Sequence, residues 1–375
     1  MTRSKVLFAS TILAAAAALF ASKAAAKMPD FEVYWRAAVR ARTAEPLYRS
    51  EDQHYQLKYL PAFAVLAIPA GLLPLITAKA IWFGVSAGLL CVLVAMSLRV
   101  LPARRKAGWL LCGATVVLMA KFYGHELVLG QVNLLFAVIV MAAVESIQRG
   151  RAGTAGLLLA LAVVIKPYAV LFLPWLAAQR EAKALAAAGA GLAGALLLPA
   201  IVYGAGGTLA LHLDWWRTVT ESTAPNLLNA DNVSLAAMFA KWIGIGRTAA
   251  GLAAATGALL LGVAAAAFAR RRTVPLPHGL EAALLLSLVP LLSPQGWDYV
   301  FLIATPAVMF VLNYYRALPR LTRAGAGAAL VLIGFTLYDV MGRAAYGRFM
   351  ALSVVSVCFV VAVGSLAALR FNKVA

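Results

Sequence analysis

Residues 27–60 read KMPDFEVYWRAAVRARTAEPLYRSEDQHYQLKYL and form the only long polar segment in the first half of the chain. They contain five of the fourteen acidic residues, namely Asp30, Glu32, Glu45, Glu51 and Asp52. An isolated apolar stretch at residues 6–22 precedes this segment, and apolar stretches fill most of the sequence that follows it. The segment is therefore predicted to be a large loop that separates a first membrane helix from many others.

The composition is that of a membrane protein. The chain has 375 residues, of which 63% are hydrophobic and only 13% are charged, whereas soluble domains are roughly half apolar and about a quarter charged. Apolar runs of about 17–25 residues recur, and each is long enough to cross roughly 30 Å of hydrocarbon. These runs predict an all-α, polytopic transmembrane protein with about 11–13 membrane helices in a single domain, residues 1–375.

The cysteines and the net charge exclude several other classes of protein. Cys91, Cys112 and Cys358 each lie in an apolar run, so no disulfide framework or zinc site is predicted. The net charge of +19 comes from short basic clusters between apolar runs. Such clusters are typical of cytoplasmic loops, and no nucleic acid partner is expected.

The basic residues also predict the topology. Arg3 and Lys5 precede the first apolar stretch, which places the N-terminus in the cytoplasm and residues 27–60 outside, and Arg370 and Lys373 place the C-terminus in the cytoplasm. A second outer segment is predicted at residues 204–247. The segments predicted inside hold 18 Lys and Arg against three acidic residues, whereas the remainder holds 15 against 11. The alternative for the first stretch is a cleaved signal peptide ending near ASKAAAK.

Two proline-containing segments are predicted not to cross the membrane. Residues 61–77 carry three prolines and would reverse the positive-inside pattern if they spanned. Residues 153–178 consist of two short apolar pieces around Lys166-Pro167, which predicts a hairpin that enters from the inside with Lys166 near its tip. Irregular backbone at membrane depth requires protein or a polar cavity around it. The remaining predicted membrane segments are 79–98, 107–122, 132–147, 184–203, 248–269, 279–292, 298–315, 324–338 and 349–369.

Asp30 is the first candidate catalytic residue. It follows Pro29 and opens a helical pattern in which Phe31 and Tyr34 share one face. Asp is also a favoured N-cap residue, so a purely structural role is the alternative. Asp30 and Glu32 form an acidic doublet of the kind that can hold a divalent metal. Residues two apart on a helix point in different directions, so a metal is possible but not favoured, and no cofactor is predicted.

The polar segment resembles a known family. The string D-F-x-x-Y-W-x-A-A at residue 30 is followed by P-L-Y at residue 46 and Y-L-P at residue 59. It resembles the first-loop signature of the phosphatidylinositol-mannoside mannosyltransferases, which are membrane-embedded transferases of the GT-C type in glycosyltransferase family 87. The resemblance implies that Asp30 is the general base. Two departures are Ala44-Glu45, where a Gly is usual, and Pro61-Ala62, where a double proline is usual.

Four later fragments extend the resemblance to residue 299. They are G-Q-x-N at residues 130–133, K-P at 166–167, N-x-S-L at 232–235 and S-P-x-x-W at 293–297. The first three have another explanation: amides that join helices, an interfacial lysine, and an N-glycosylation sequon at Asn232. The family has a His shortly after the Trp, whereas this chain has Asp298-Tyr299. Lys121, His125 and Glu126 lie at a membrane boundary, where they contact a substrate or extend to the headgroups.

The resemblance implies an inverting glycosyltransferase that uses a polyprenyl-phosphate sugar, expected to be mannose. Its acceptor would be a glycolipid or glycan at the outer face of the cell membrane, and membrane lipids would be its other partners. A lipid-linked donor also suits a chain without a soluble nucleotide-binding domain. The expected donor-phosphate ligands are Lys166, Lys58, Arg217 and Arg343, and the expected substrate-binding residues are Tyr34, Gln131, Asn133, Asn232, Ser234 and Trp297. The alternatives are a multi-span transporter or lipid flippase, and a scaffold subunit.

Overall fold

The computed structural model of the protein describes residue 20 and residues 24–374. These residues form helices and connecting segments, and no strand occurs among them, so the predicted all-α class is confirmed. The predicted first helix and its signal-peptide alternative lie outside the described residues. The α-helices, in chain order, are α1 (Pro29–Arg42), α2 (Pro61–Leu66), α3 (Ile68–Gly71), α4 (Leu75–Arg99), α5 (Gly108–Leu118), α6 (Ala120–Leu129), α7 (Asn133–Gln148), α8 (Ala152–Ile165), α9 (Phe172–Ala178), α10 (Ala182–Leu197), α11 (Ala200–Thr223), α12 (Leu235–Ile243), α13 (Arg247–Ala269), α14 (His278–Leu292), α15 (Thr305–Tyr314), α16 (Arg320–Phe335), α17 (Tyr338–Met341), α18 (Arg343–Ala351) and α19 (Val354–Phe371).

Short 3-10 helices connect or precede several of these elements. They are Ser50–Tyr55, Pro167–Leu171, Ala224–Asn226, Arg271–Thr273, Asp298–Ala304 and Tyr315–Ala317. The longest of them, Asp298–Ala304, leads directly into α15. Together with α15 and the following turn it makes one apolar helical segment of 20 residues, Asp298–Ala317.

Fewer helices than predicted have the length of a full membrane span. Four described segments are long and apolar enough, namely α4, α13, Asp298–Ala317 and α19. The number rises to six if two bent pairs each count as one span: α6 with α7, bent by 116°, and Ala182–Leu197 with Ala200–Asn226, bent by 89°. Four shorter apolar helical segments accompany them. The 11–13 predicted membrane helices include short and re-entrant segments, and four to six of the described ones have the length of a full span.

The connecting segments gather at two ends of the bundle. At one end, the Trp215 indole donates a hydrogen bond to the Lys58 carbonyl oxygen (3.2 Å), and the Asn232 side chain donates to the Pro294 carbonyl oxygen (3.1 Å). At the other end, Arg370 contacts Glu281 (3.4 Å). Helix α4 connects the two ends over 25 residues, which corresponds to about 37 Å. We call these the Asp30 end and the Glu281 end.

Both segments that were predicted not to span are broken in the structure. Helices α2 and α3 have only six and four residues, so each is less than about 10 Å long and cannot cross the hydrocarbon. The second segment breaks at Lys166, whose backbone is extended between α8 and the following 3-10 helix. After the break, Trp175 in α9 donates a hydrogen bond to Glu281 (2.9 Å). The chain therefore returns to the Glu281 end, as the predicted hairpin requires.

Helix α14 lies at the centre of the bundle. Every residue from Gly279 to Leu291 is buried, and a helix that is apolar on all sides is expected at a core position. Its single acid, Glu281, is fully buried and contacts Trp175, Arg271 and Arg370. A buried carboxylate is tolerated when cations and hydrogen-bond donors surround it. These contacts join α9, α14 and α19 at the Glu281 end.

Helices α8 and α10 pack unusually closely because their contact is made of small residues. A Cβ atom built on Gly156 would lie 2.1 Å from the Ala184 carbonyl oxygen and 2.8 Å from the Ala188 nitrogen. Small residues allow helix backbones to approach each other in this way within membranes. The contact fixes the position of α8, and therefore of Lys166 at its end.

We expect Gly156→Ala to lower the unfolding temperature of the purified protein in detergent. The added methyl group has no space and must separate α8 from α10, and overpacking of this kind costs about 1–3 kcal/mol. Gly153→Ala in the same helix is the matched control, since no atom lies within 4 Å of its Cβ position. That substitution should leave stability unchanged or raise it slightly, because Ala favours helix more than Gly. Equal unfolding temperatures for the two variants would contradict the close contact.

Candidate active site

Asp30 lies in the first turn of α1, directly after Pro29. The N-cap residue of α1 is Met28, which has left-handed backbone angles, so Asp30 is the second residue of the helix. The alternative in which Asp30 is the N-cap is therefore wrong. The Met28 amide donates a hydrogen bond to the Val128 carbonyl oxygen (3.0 Å), which attaches the start of α1 to α6. A carboxylate in the first turn also interacts favourably with the helix dipole.

Gly130 brings Gln131 next to Asp30. It ends α6 in the left-handed conformation (φ 71°), and a Cβ atom there would lie 2.7 Å from the Phe31 Cβ. Only glycine combines this conformation with so close a neighbour. The Trp82 indole donates a hydrogen bond to the Gly130 carbonyl oxygen (3.0 Å) and holds the turn in place. The Gln131 Nε2 then donates to the Asp30 Oδ2 at 2.7 Å.

Three tyrosines complete the hydrogen-bond network around Gln131. Its Oε1 accepts hydrogen bonds from the Tyr34 hydroxyl (3.0 Å) and the Tyr59 hydroxyl (3.3 Å), which are 2.7 Å from each other. Its Nε2 also donates to the Tyr299 hydroxyl (3.3 Å). The amide is thus oriented by its neighbours: its oxygen faces two donors and its NH2 group faces Asp30. This network holds the Asp30 carboxylate in one position.

Two lysines bring positive charge to the same cluster. The Lys166 ammonium lies 4.8 Å from the centre of the Tyr59 ring and 5.9 Å from that of Tyr168, within the range of a cation–π contact. Lys58 precedes Tyr59 and interacts electrostatically with both Asp30 and Lys166. Burial lowers the pKa of the Lys58 ammonium, and the Asp30 carboxylate partly opposes that effect.

This arrangement can support transfer to a hydroxyl group. A fixed carboxylate can remove a proton from an attacking hydroxyl. Two ammonium groups nearby can stabilise negative charge that develops on a leaving group. The tyrosines offer aromatic faces and hydroxyl groups to a polar substrate. Asp30, Tyr34, Gln131, Lys58 and Lys166 were all predicted as site residues, and the structure brings them together.

Glu32 belongs to a separate set of contacts. Its Oε1 lies 2.6 Å from the ammonium of Lys79, which is buried, and its Oε2 lies 3.2 Å from the Arg36 guanidinium. The Lys79 ammonium also donates to the Lys27 carbonyl oxygen (2.6 Å). In the described residues no three His, Cys, Asp or Glu side chains are grouped for a metal ion. The pairing of Glu32 with two cations does not fit a metal-binding doublet with Asp30.

Three other predicted residues have different surroundings. Arg217 is exposed on α11, 3.6 Å from Asp214, and Arg343 is exposed at the start of α18. Asn133 is buried and donates a hydrogen bond to Glu126 (2.8 Å), whose other oxygen accepts from the Leu134 amide (3.0 Å). Glu126 thus accepts hydrogen bonds at the beginning of α7, where the backbone amides have no partner within the helix. The contacts of the Asp30 cluster involve Lys58 and Lys166 rather than these residues.

Asn232, Ser234 and Trp297 hold two loops together. The Asn232 side chain donates to two carbonyl oxygens, those of Asn226 and Pro294 (both 3.1 Å), and Asn232 pairs with Trp297 through an isolated antiparallel bridge. The Ser234 hydroxyl accepts a hydrogen bond from the Ala237 amide (3.1 Å) and caps α12. Asn232 is only 1% exposed, so its amide is not accessible for glycosylation in the folded protein.

A second polar cluster was not predicted. The buried Asp298 lies 2.7 Å from the Lys121 ammonium and 3.6 Å from the His125 ring. Lys121 is itself buried and does not extend to the headgroups. Two signals in the sequence could have been combined: Asp298 stands where a His is expected, and Lys121 and His125 are four apart on one helix. Asp298 is far from Lys121 and His125 in the sequence, so their contact can be recognised only in the folded structure.

Lys241 lies near this second cluster. Its ammonium donates hydrogen bonds to the carbonyl oxygens of Ala230 (2.8 Å) and Asn232 (2.7 Å). Burial lowers the pKa of Lys241 to about 8, although Asp231 and Asp298 act in the opposite direction. Helix α12 is thus attached through Lys241 to residues 230–232, and the Asp231 carbonyl oxygen of that loop accepts a hydrogen bond from the Asp298 amide (3.0 Å).

The fold and the site together define a helical membrane protein in which the Asp30 carboxylate and two ammonium groups lie in a tyrosine-lined cluster. The family model for Glycosyltransferase family 87 matches residues 57–294, more than half of the chain, and the protein belongs to that family. Membership implies glycosyltransferase activity. The matched range includes Lys58, Gln131 and Lys166, whereas Asp30 precedes it. No curated protein and no solved structure matches the chain.

Proposed function

We propose that this glycosyltransferase moves mannose from a polyprenyl-phosphate donor to a glycolipid or glycan acceptor, with inversion at the anomeric carbon. The observation that carries the proposal is the cluster in which Gln131 holds Asp30 (2.7 Å) beside Lys58 and Lys166. Mannose is proposed because the string around Asp30 resembles that of the mannosyltransferases named above.

In the proposed reaction, Asp30 takes the proton of the acceptor hydroxyl as its oxygen attacks the anomeric carbon. The bond from that carbon to the phosphate oxygen breaks, and its electron pair leaves with the lipid phosphate. A single displacement inverts the configuration of the sugar. The donor phosphate carries one negative charge as a diester and two as the departing monoester. Lys58 and Lys166 stabilise that added charge more than they stabilise the bound donor, which is the condition for acceleration.

Transfer assays in lipid nanodiscs test this proposal. The purified protein would be given radiolabelled polyprenyl-phosphate mannose, polyprenyl-phosphate glucose or a nucleotide-linked mannose, each with the same mannosylated lipid acceptor. We expect transfer from the polyprenyl-phosphate mannose, and a product with the opposite anomeric configuration by NMR. Efficient transfer from the nucleotide sugar without a lipid carrier would contradict the proposed donor, and retained configuration would contradict the single displacement.

We also propose that the Asp30 end faces outside the cytoplasm. In a cysteine-free parent, Glu45→Cys and Glu221→Cys should react with a membrane-impermeant maleimide in intact cells, whereas Arg272→Cys and Arg320→Cys should react only after permeabilisation. All four side chains are exposed, so differences in burial do not explain a difference in labelling. The physical basis for this sidedness is the excess of Lys and Arg over acidic residues in the segments predicted to lie inside. The reverse pattern would overturn the sidedness.

A further inference from the structure

Tyr299 is the most accessible of the three tyrosines that contact Gln131. Tyr34 and Tyr59 are only 4% and 8% exposed, and their hydroxyl groups donate to the Gln131 Oε1. Tyr299 is partly exposed, although the residues on both sides of it in the chain are buried. A ligand in the cluster can therefore reach the Tyr299 side chain most easily.

The hydroxyl hydrogen of Tyr299 is available to a ligand. The Gln131 amide turns its Nε2 towards the Asp30 carboxylate (2.7 Å), and the same nitrogen lies 3.3 Å from the Tyr299 hydroxyl. Because an amide nitrogen only donates, the Tyr299 oxygen is the acceptor in this contact. Within the described part of the chain, that contact is the only hydrogen bond of the Tyr299 hydroxyl, so its own hydrogen has no protein acceptor. Such a hydrogen can donate to an oxygen atom of a bound substrate.

The backbone at Tyr299 is fixed by contacts that do not involve a substrate. The preceding residue, Asp298, is buried and forms an ion pair with Lys121 of α6 (2.7 Å). Just after the 3-10 helix that carries Tyr299, the hydroxyl of Thr305 lies 2.7 Å from that of Tyr123, which also belongs to α6. Both ends of this short helix are therefore attached to α6. The Tyr299 side chain is thus held in place before a substrate binds, as precise recognition requires.

We infer that Tyr299 determines sugar specificity, because its hydroxyl donates a hydrogen bond to one hydroxyl group of the transferred sugar. The inference rests on the proposed function, in which the sugar lies between the base and the leaving phosphate. Tyr299 is close to both positions. It shares the Gln131 Nε2 with Asp30. It also interacts electrostatically with Tyr59, whose ring contacts the Lys166 ammonium at 4.8 Å. A site built to bond a substrate hydroxyl discriminates against a sugar that lacks it.

Deoxy donors test this contact. In lipid nanodiscs, kcat/KM would be measured for polyprenyl-phosphate mannose and for its 2-, 3-, 4- and 6-deoxy analogues, all with the same mannosylated lipid acceptor. Tyr299→Phe should lower kcat/KM for the parent donor by at least about threefold, which corresponds to the loss of one neutral hydrogen bond. For one deoxy analogue the loss should be smaller by about that factor, because this donor lacks the contacted hydroxyl. The difference between the two losses isolates the contact from any loosening of Gln131.

Tyr123→Phe is the matched control. It removes a buried tyrosine hydroxyl that holds the same 3-10 helix, so any loss that it causes should be the same for all five donors. If the wild type transfers sugar from none of the donors, the proposed function fails. If the wild type is active but Tyr299→Phe loses the same factor with every donor, or loses nothing with the parent donor, the proposed function stands and the contact with the sugar is overturned.

Discussion

Asp30→Asn is expected to slow sugar transfer at least about a hundredfold while the protein remains folded. An amide cannot take the proton of the attacking hydroxyl, and loss of a general base costs about 10²–10⁴ in rate. The asparagine oxygen can still accept the hydrogen bond from Gln131 that Asp30 accepts at 2.7 Å. The substitution also removes the electrostatic interaction with Lys58 and the favourable interaction with the dipole of α1, of which the latter costs up to about 1 kcal/mol. The measurements are kcat with the lipid donor and the unfolding temperature in the same detergent.

Two further variants serve as controls for Asp30→Asn. Glu51→Gln removes an exposed acid from the same polar segment and should change neither quantity. Glu32→Gln should cost much less in kcat than Asp30→Asn but should lower the unfolding temperature, because the buried Lys79 loses its carboxylate partner. If Asp30→Asn kept most of its activity, Asp30 would be a structural residue of the first turn of α1 and not a base.

The sequence predicted those parts of the site that follow from the order of the motifs and from the conformations that proline and glycine impose on the backbone. Asp30, Gln131 and Lys166 were named from separate fragments, and the break at Lys166 followed from a proline within an apolar run. The structure places Gln131 against Asp30 and Lys166 beside Tyr59. Glycine at residue 130 is also explained locally, because α6 ends there with positive φ, which favours glycine.

Other features depend on tertiary packing, and no local pattern identified them. Tyr59 and Tyr299 resemble ordinary interfacial or core aromatics in the sequence, and only the fold directs their hydroxyl groups at Gln131. The pairing of Lys121 with Asp298 joins distant elements. Gly130 and Pro199 mark breaks in the helical pattern, but the bends of 116° and 89° near them depend on neighbouring helices. For this reason the sequence did not show which apolar segments are full spans and which are bent.

Lys166→Ala is expected to reduce kcat/KM for the lipid donor by about a hundredfold or more, with little change in the KM for the acceptor. Loss of one preorganised group that stabilises developing charge costs about 10²–10³ in rate. Lys166→Arg should restore part of the activity, since the charge is kept but a planar guanidinium does not reproduce the compact ammonium. Lys183→Ala, an exposed lysine on α10, is the control and should behave like the wild type.

A structural explanation for Lys166 must be tested separately, because its ammonium also packs 4.8 Å from the centre of the Tyr59 ring. Lys166→Met keeps an unbranched side chain against the ring and removes only the charge. If the charge binds the donor phosphate, Met should be as inactive as Ala while the unfolding temperature stays that of the wild type. If packing alone matters, Met should restore transfer.

A double replacement tests whether Lys58 and Lys166 bind the same phosphate. The losses of transfer activity in Lys58→Ala and Lys166→Ala should then be non-additive when both lysines are replaced. Strictly additive losses would place the two lysines at independent sites.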